Sequence, residues 1–180
     1  MRLLSTVLIA VAAMFVAGCG ATGTAATVGD ETVTIDELQS EVLAFSESFD
    51  EPLPVSGDLA DVQREFLTRQ INHLLLIDLA DSEGVEITDA EVDELYDELA
   101  AQSGGDVDAL RAQFVYTEAG LRRALEYELR LRALEPIVGP VEPALEATAA
   151  EVGVEVNPRY GTWEGVSLAP GTGSISVPAG

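Results

Sequence analysis

The chain has 180 residues and carries 32 acidic side chains against nine basic ones, a formal net charge of −23 at pH 7. Nucleic acid is excluded as a partner, because phosphate binding needs a basic face, and an anionic membrane surface repels such a domain. The length bounds one domain with a sizeable core, and nothing repeats at a fixed period.

Arg2 is the only charge before Asp30. From Leu3 the chain reads LLSTVLIAVAAMF and then VAGC. A positive start, a short apolar run and small residues at its end predict a secretory signal over residues 1–18. The run is shorter than the ~20 apolar residues of a membrane span. The single cysteine, Cys19, follows at once. Val16-Ala17-Gly18-Cys19 resembles the lipobox of bacterial lipoproteins, in which the thiol carries diacylglycerol. The resemblance implies lipidation of Cys19; an uncleaved anchor and ordinary secretion are the alternatives. Acylation would leave no thiol for a disulfide, a redox pair or a Cys-ligated metal. All nine basic residues are Arg, so losing Arg2 with the signal leaves eight against 32 acids, a net of −24. That acidity suits a salty habitat, where ions screen self-repulsion; a high-GC genome explains the preference for Arg over Lys equally well.

Residues 19–27 read as a tether, the eight residues GATGTAAT reaching about 16 Å. Residues 27–34, TVGDETVT, read as a short β stretch with a Gly-Asp turn. Thr34-Ile35-Asp36-Glu37 is a capping box opening a helix, with Ile35, Leu38, Val42 and Phe45 on one face. The two prolines and the glycine of residues 50–57 end it. The longest helix is predicted from Asp58 to Glu83, with Gly84 as its stop. Val62, Phe66, Ile71, Leu74, Leu75 and Leu79 form its stripe, and Leu76 and Ile77 add apolar surface opposite. A helix apolar on both sides is the buried centre of a domain.

Thr88-Asp89-Ala90-Glu91 is a second capping box, for a helix to about Gln102. Asp106 caps a short helix through Phe114, and Thr117 caps another to about Leu134. Pro136, Gly139, Pro140 and Pro143 break that pattern, and residues 145–152 form one more helix. Val152, Val154 and Val156 alternate like a strand. The tail, residues 165–180, is small, uncharged and turn-rich and reads as disordered. The expected fold is mainly α: an orthogonal multi-helix domain over residues 28–164, with a small β element built from its two ends.

This order of elements resembles the N-terminal chaperone domain of SurA-type and PrsA-type extracytoplasmic foldases over roughly residues 26–135. The carrying stretches are AATVGDETVTIDELQSEV, then REFLTRQINHLLLIDLADSEGVEITDAEVDELYDEL, then DVDALRAQFVYTEAGLRRALEYELRLRAL. Residues 156–163, VNPRYGTW, look like the segment that follows the parvulin domain in many relatives and packs back on the chaperone lobe. The resemblance implies that Val154 to Trp163 lies beside Val28 to Thr34. Only twenty residues separate Pro136 from Asn157, so a parvulin domain of the family's size does not fit. Prolyl isomerase activity is therefore not carried over.

No constellation argues for an enzyme. His73, the only histidine, reads as structural, because no Gly-x-Ser-x-Gly elbow exists to partner it. Asp81-Ser82-Glu83-Gly84 does not extend to an EF-hand, since Leu79 and Ala90 would occupy ligand positions. Asp89, Glu91, Asp93, Glu94, Asp97 and Glu98 read as a solvated helix face. No carboxylate pair stands out by spacing, and Gly104-Gly105 lacks the lysine of a P-loop. No cofactor or metal is expected. Phe114, Tyr116 and Tyr127 are the site candidates: packed rings, or the lining of a groove for unfolded clients. The resemblance implies a lipid-anchored, ATP-independent chaperone-like protein on the outer face of the cytoplasmic membrane, binding unfolded exported chains. A non-catalytic subunit holding one folded partner at the membrane is the alternative.

Overall fold

Two reciprocal capping boxes start two of the helices. At the first, the Thr34 amide and hydroxyl donate to Glu37 Oε2 at 3.0 and 2.7 Å, and the Glu37 amide donates to Thr34 Oγ1 at 3.2 Å. At the second, Thr88 and Glu91 repeat the arrangement at 2.8, 2.8 and 3.3 Å. Each box satisfies amides that a helix start leaves without intrahelical partners. The bonds hold both carboxyls below the usual carboxylate range; for Glu37 the Thr34 hydroxyl contributes most, for Glu91 the Thr88 amide.

The structure is a computed structural model and describes residues 23–47, 58–102, 104–105 and 118–171. In chain order come β1 (Thr24–Val28), β2 (Glu31–Thr34), α1 (Ile35–Glu47), α2 (Asp58–Ser82), α3 (Asp89–Gln102), α4 (Glu118–Val138), α5 (Val141–Val152), β3 (Val154–Val156), β4 (Thr162–Glu164) and β5 (Ser167–Ala169). The described chain is mainly helical with a small antiparallel strand element, as the sequence predicts. The signal, Cys19 and the short helix ending at Phe114 lie outside the described residues.

α2 is the centre. Leu67, Ile71, Leu75, Leu76 and Ala80 are all fully buried, and α1, α4, α5, β1, β2 and β5 pack around them. Burying one such leucine stabilises the fold by roughly 1.5–3 kcal/mol. α3 and α4 pack together as an arm with its own small core, Val92, Leu121 and Leu125, flanked by Tyr96 and Leu129. Arg122 lies 5.6 Å over the Tyr96 ring and pairs with Asp93 across the arm.

The sheet order is β2-β1-β3, antiparallel throughout. The returning C-terminal strand therefore meets Ala26 to Val28 and not β2: Val28 faces Val154 and Ala26 faces Val156, with β2 on the far side of β1. This corrects the expected pairing along Val28 to Thr34. Asn157 fixes the register by donating its amide to the Ala25 carbonyl at 2.9 Å and its Nδ2 to the Thr24 carbonyl at 3.1 Å.

Four more boundaries differ from expectation. The tether ends earlier, because Thr24 to Thr27 belong to β1, where Ala25 and Ala26 are buried in the core. Pro136 does not break α4, which runs on to Val138 and stops at Gly139, where φ is +78°. Proline removes one amide donor, yet the next turn still closes through Gly139 N–H to the Glu135 carbonyl at 3.0 Å. α5 begins at Val141, with Pro143 in its first turn, where a missing N–H costs little. Finally, residues 165–171 of the supposed disordered tail are ordered. β4 and β5 form a hairpin turning at Gly165, φ +61°, and it is fastened to α2: Asn72 Nδ2 donates to the Val166 carbonyl at 2.9 Å, and the Leu168 amide donates to Thr68 Oγ1 at 3.3 Å. Residues 172–180 lie outside the described residues.

Candidate functional site

Helical spacing puts Phe66, Arg69, Gln70 and His73 on one side of α2. That side is the floor of an open groove of about 680 Å³. β2 and α1 supply one wall through Thr32, Glu37, Glu41 and Ala44; α4 supplies the other through Arg123, Ala124 and Tyr127.

The groove has an aromatic lining braced by polar contacts. Phe45 meets Phe66 edge-on, with ring centroids 5.3 Å apart and planes at 62°, an arrangement that suits ring quadrupoles. The Arg69 guanidinium covers the same ring at 5.0 Å and pairs with Glu65 at 2.6 Å. Glu41 ties three helices together: it accepts from Gln70 Nε2 at 2.8 Å and pairs with Arg123 of α4. Because their amide nitrogens are engaged, by Glu41 and by Val166, Gln70 Oε1 and Asn72 Oδ1 are left as buried acceptors with no donor among the described residues. Such acceptors carry a desolvation cost that a fully packed core avoids.

His73 lies at the bottom with its ring 6.3 Å from that of Tyr127. Burial pushes its pKa down from 6.5, with the Arg130 and Arg123 charges adding to the fall and Glu126 opposing it. The Tyr127 hydroxyl is pushed up, chiefly by burial. A neutral imidazole beside a neutral phenol offers flat apolar area with polar edges.

Of the aromatic candidates, Tyr127 lines the groove, while Phe114 and Tyr116 lie outside the described residues. Phe66 and the polar set Glu41, Gln70 and Arg123 were not among the candidates. In the sequence, Phe66, Arg69, Gln70 and His73 fall at helical spacing on one side of α2, whereas nothing local marks Glu41 or Arg123. Among the described residues no three His, Cys, Asp or Glu side chains come together to hold a metal ion, and no helix is long and apolar enough to cross a membrane. No protein-family model matches this chain, and no curated protein matches it either.

Proposed function

We propose that the protein is a lipid-anchored, ATP-independent chaperone-like factor of the extracytoplasmic space. It binds exposed apolar or aromatic segments of unfolded exported polypeptides in the groove over α2, and so lowers the concentration of aggregation-prone chains. The observation that carries this reading is the groove itself: an open space of about 680 Å³ over α2, lined by the rings of Phe66, His73 and Tyr127 together with polar side chains. The resemblance to SurA-type and PrsA-type chaperone domains supports the same reading, and the lipobox at Cys19 supports anchoring at the outer face of the cytoplasmic membrane.

The test is suppression of aggregation of several unrelated unfolded clients by the mature chain. Ala44→Gln and Ala124→Gln lengthen two groove-lining side chains on helices that tolerate glutamine. Suppression by the parent, lost in the double variant, is the expected result. Inactivity towards all clients, together with capture of one folded partner, would replace this reading with that of a dedicated interaction subunit. Metabolic labelling with a palmitate analogue, lost in Cys19→Ser, checks the anchor.

A further inference from the structure

We propose that the groove takes an extended polypeptide segment carrying Lys or Arg beside apolar residues, laid along the outer edge of β2 as a fourth strand. The inference rests on the client-binding reading and names the chemistry and conformation of the client.

Backbone parity supplies the first argument. Gly29 donates to the Gly153 carbonyl at 3.0 Å and Asn157 to the Ala25 carbonyl at 2.9 Å, so residues 25, 27 and 29 turn their backbone groups towards β3. Alternation along a strand then turns Ala26 and Val28 towards β2, where they face Val33 and Glu31. Thr32, opposite Thr27, is left with its N–H and C=O directed away from β1. That side is the groove: Glu31, Thr32 and Val33 all line it, and β2 is the edge of the sheet. One client residue set opposite Thr32 can exchange both backbone hydrogen bonds, the geometry of strand addition. Its neighbours then run between β2 and α4, with alternate side chains directed at His73, Tyr127 and Phe66.

Charge supplies the second. The lining holds four glutamates, Glu31, Glu37, Glu41 and Glu65, against two arginines. Both arginines are already paired, Arg69 with Glu65 and Arg123 with Glu41. The Thr34 bonds keep Glu37 ionised. The groove is therefore net negative and lies in a strongly acidic chain, so a cationic segment is attracted and an acidic one repelled.

The experiment is fluorescence anisotropy on the full mature chain, with a labelled peptide alternating Lys with Phe and Val. Three peptides are compared: this one, its Glu-for-Lys counterpart, and a copy N-methylated on alternate backbone nitrogens. At low salt the Lys peptide is expected to bind at least about ten-fold tighter than the Glu peptide, a contrast that shrinks as salt screens the charges. N-methylation is expected to weaken binding about three- to ten-fold, the size of one or two lost backbone hydrogen bonds. Thr32→Pro is expected to do the same without disturbing the ladder, because the lost N–H faces away from β1. Thr32→Val, which keeps the backbone, should bind like the parent. Equal binding of the Glu peptide overturns the proposal, as does indifference to N-methylation, which needs no variant to fold. If N-methylation and Thr32→Pro change nothing but Ala44→Gln with Ala124→Gln abolishes binding, strand addition is wrong and the groove reading stands. If the groove-filling variant binds every peptide as the parent does, the client-binding reading itself falls.

Discussion

Gly161 is the position where one methyl group matters most. Its φ is +133°, and a Cβ there would lie 2.2 Å from the Ala169 carbonyl oxygen, a backbone atom. Gly161→Ala must therefore displace β5 or twist the turn after Tyr160. A loss of about 1–3 kcal/mol is expected, read as a lower urea midpoint. Trp163, the only tryptophan, sits on β4, and its emission should move to the red. His73 carries a different prediction. Burial first, then the Arg130 and Arg123 charges, depress its pKa below 6.5, so the folded state resists a proton that the unfolded state accepts. The stability from neutral His73 is complete above the unfolded value of 6.5 and is lost as pH falls from there through the folded pKa. His73→Gln should remove that slope. Comparing the two proteins' urea midpoints at a pH above 6.5 and one below it isolates the effect, because the carboxylates are common to both. Equal slopes would contradict the assignment.

At the scale of elements, what the sequence makes legible is what local chemistry decides. The boxes at Thr34 and Thr88 close within four residues, so both helix starts could be read directly. α2 could be read as central because Leu76 sits opposite the main stripe, and it is fully buried. The β4–β5 hairpin could not be read. Its strands have three residues each, too few to display alternation, and its fastening is non-local: Leu168 reaches Thr68 across 100 positions and Val166 reaches Asn72 across 94. The groove was legible only in part for the same reason. Tyr127 announces itself as an aromatic, whereas Glu41 acquires its role from Gln70, 29 residues on, and Arg123, 82 residues on. The non-local fastening is testable. Thr68→Ala with Asn72→Ala removes both side-chain contacts and should leave helical circular dichroism unchanged. Acrylamide quenching of Trp163 should rise as the hairpin opens, each lost hydrogen bond contributing about 0.5–1.5 kcal/mol. Unchanged quenching would mean that Val166 and Leu168, which pack on the core, hold the hairpin without them.

For the whole molecule, charge and fold pull against each other. The core around α2 and the arm core of α3 and α4 are apolar, no charged side chain among the described residues is buried, and the chain has 32 acidic side chains against nine arginines. Several of those arginines are spent in pairs: Arg64 with Asp61, Arg69 with Glu65, Arg122 with Asp93, Arg123 with Glu41, Arg130 with Glu126 and Arg132 with Glu128. The exposed ones, such as Arg69–Glu65 and Arg132–Glu128, contribute about 0–1 kcal/mol each, which offsets little of the repulsion among the remaining carboxylates. Asp78 records that repulsion. Burial, then Asp81, Glu31 and Asp30, push its carboxyl above the usual range, so neighbours of the same sign add to the cost of its charge. Added salt screens repulsion and attraction alike, and here repulsion has far more members. The melting temperature should therefore rise with potassium chloride, and most steeply at low concentration, where the Debye length shrinks from about 30 Å at 0.01 M to about 10 Å at 0.1 M. A salting-out effect on apolar burial would instead grow with molar salt and depend on the anion. A melting temperature that stays flat below about 0.1 M and climbs only beyond it would show that self-repulsion is not what limits this fold. An early rise that is the same in chloride and sulfate at matched ionic strength would show that it is.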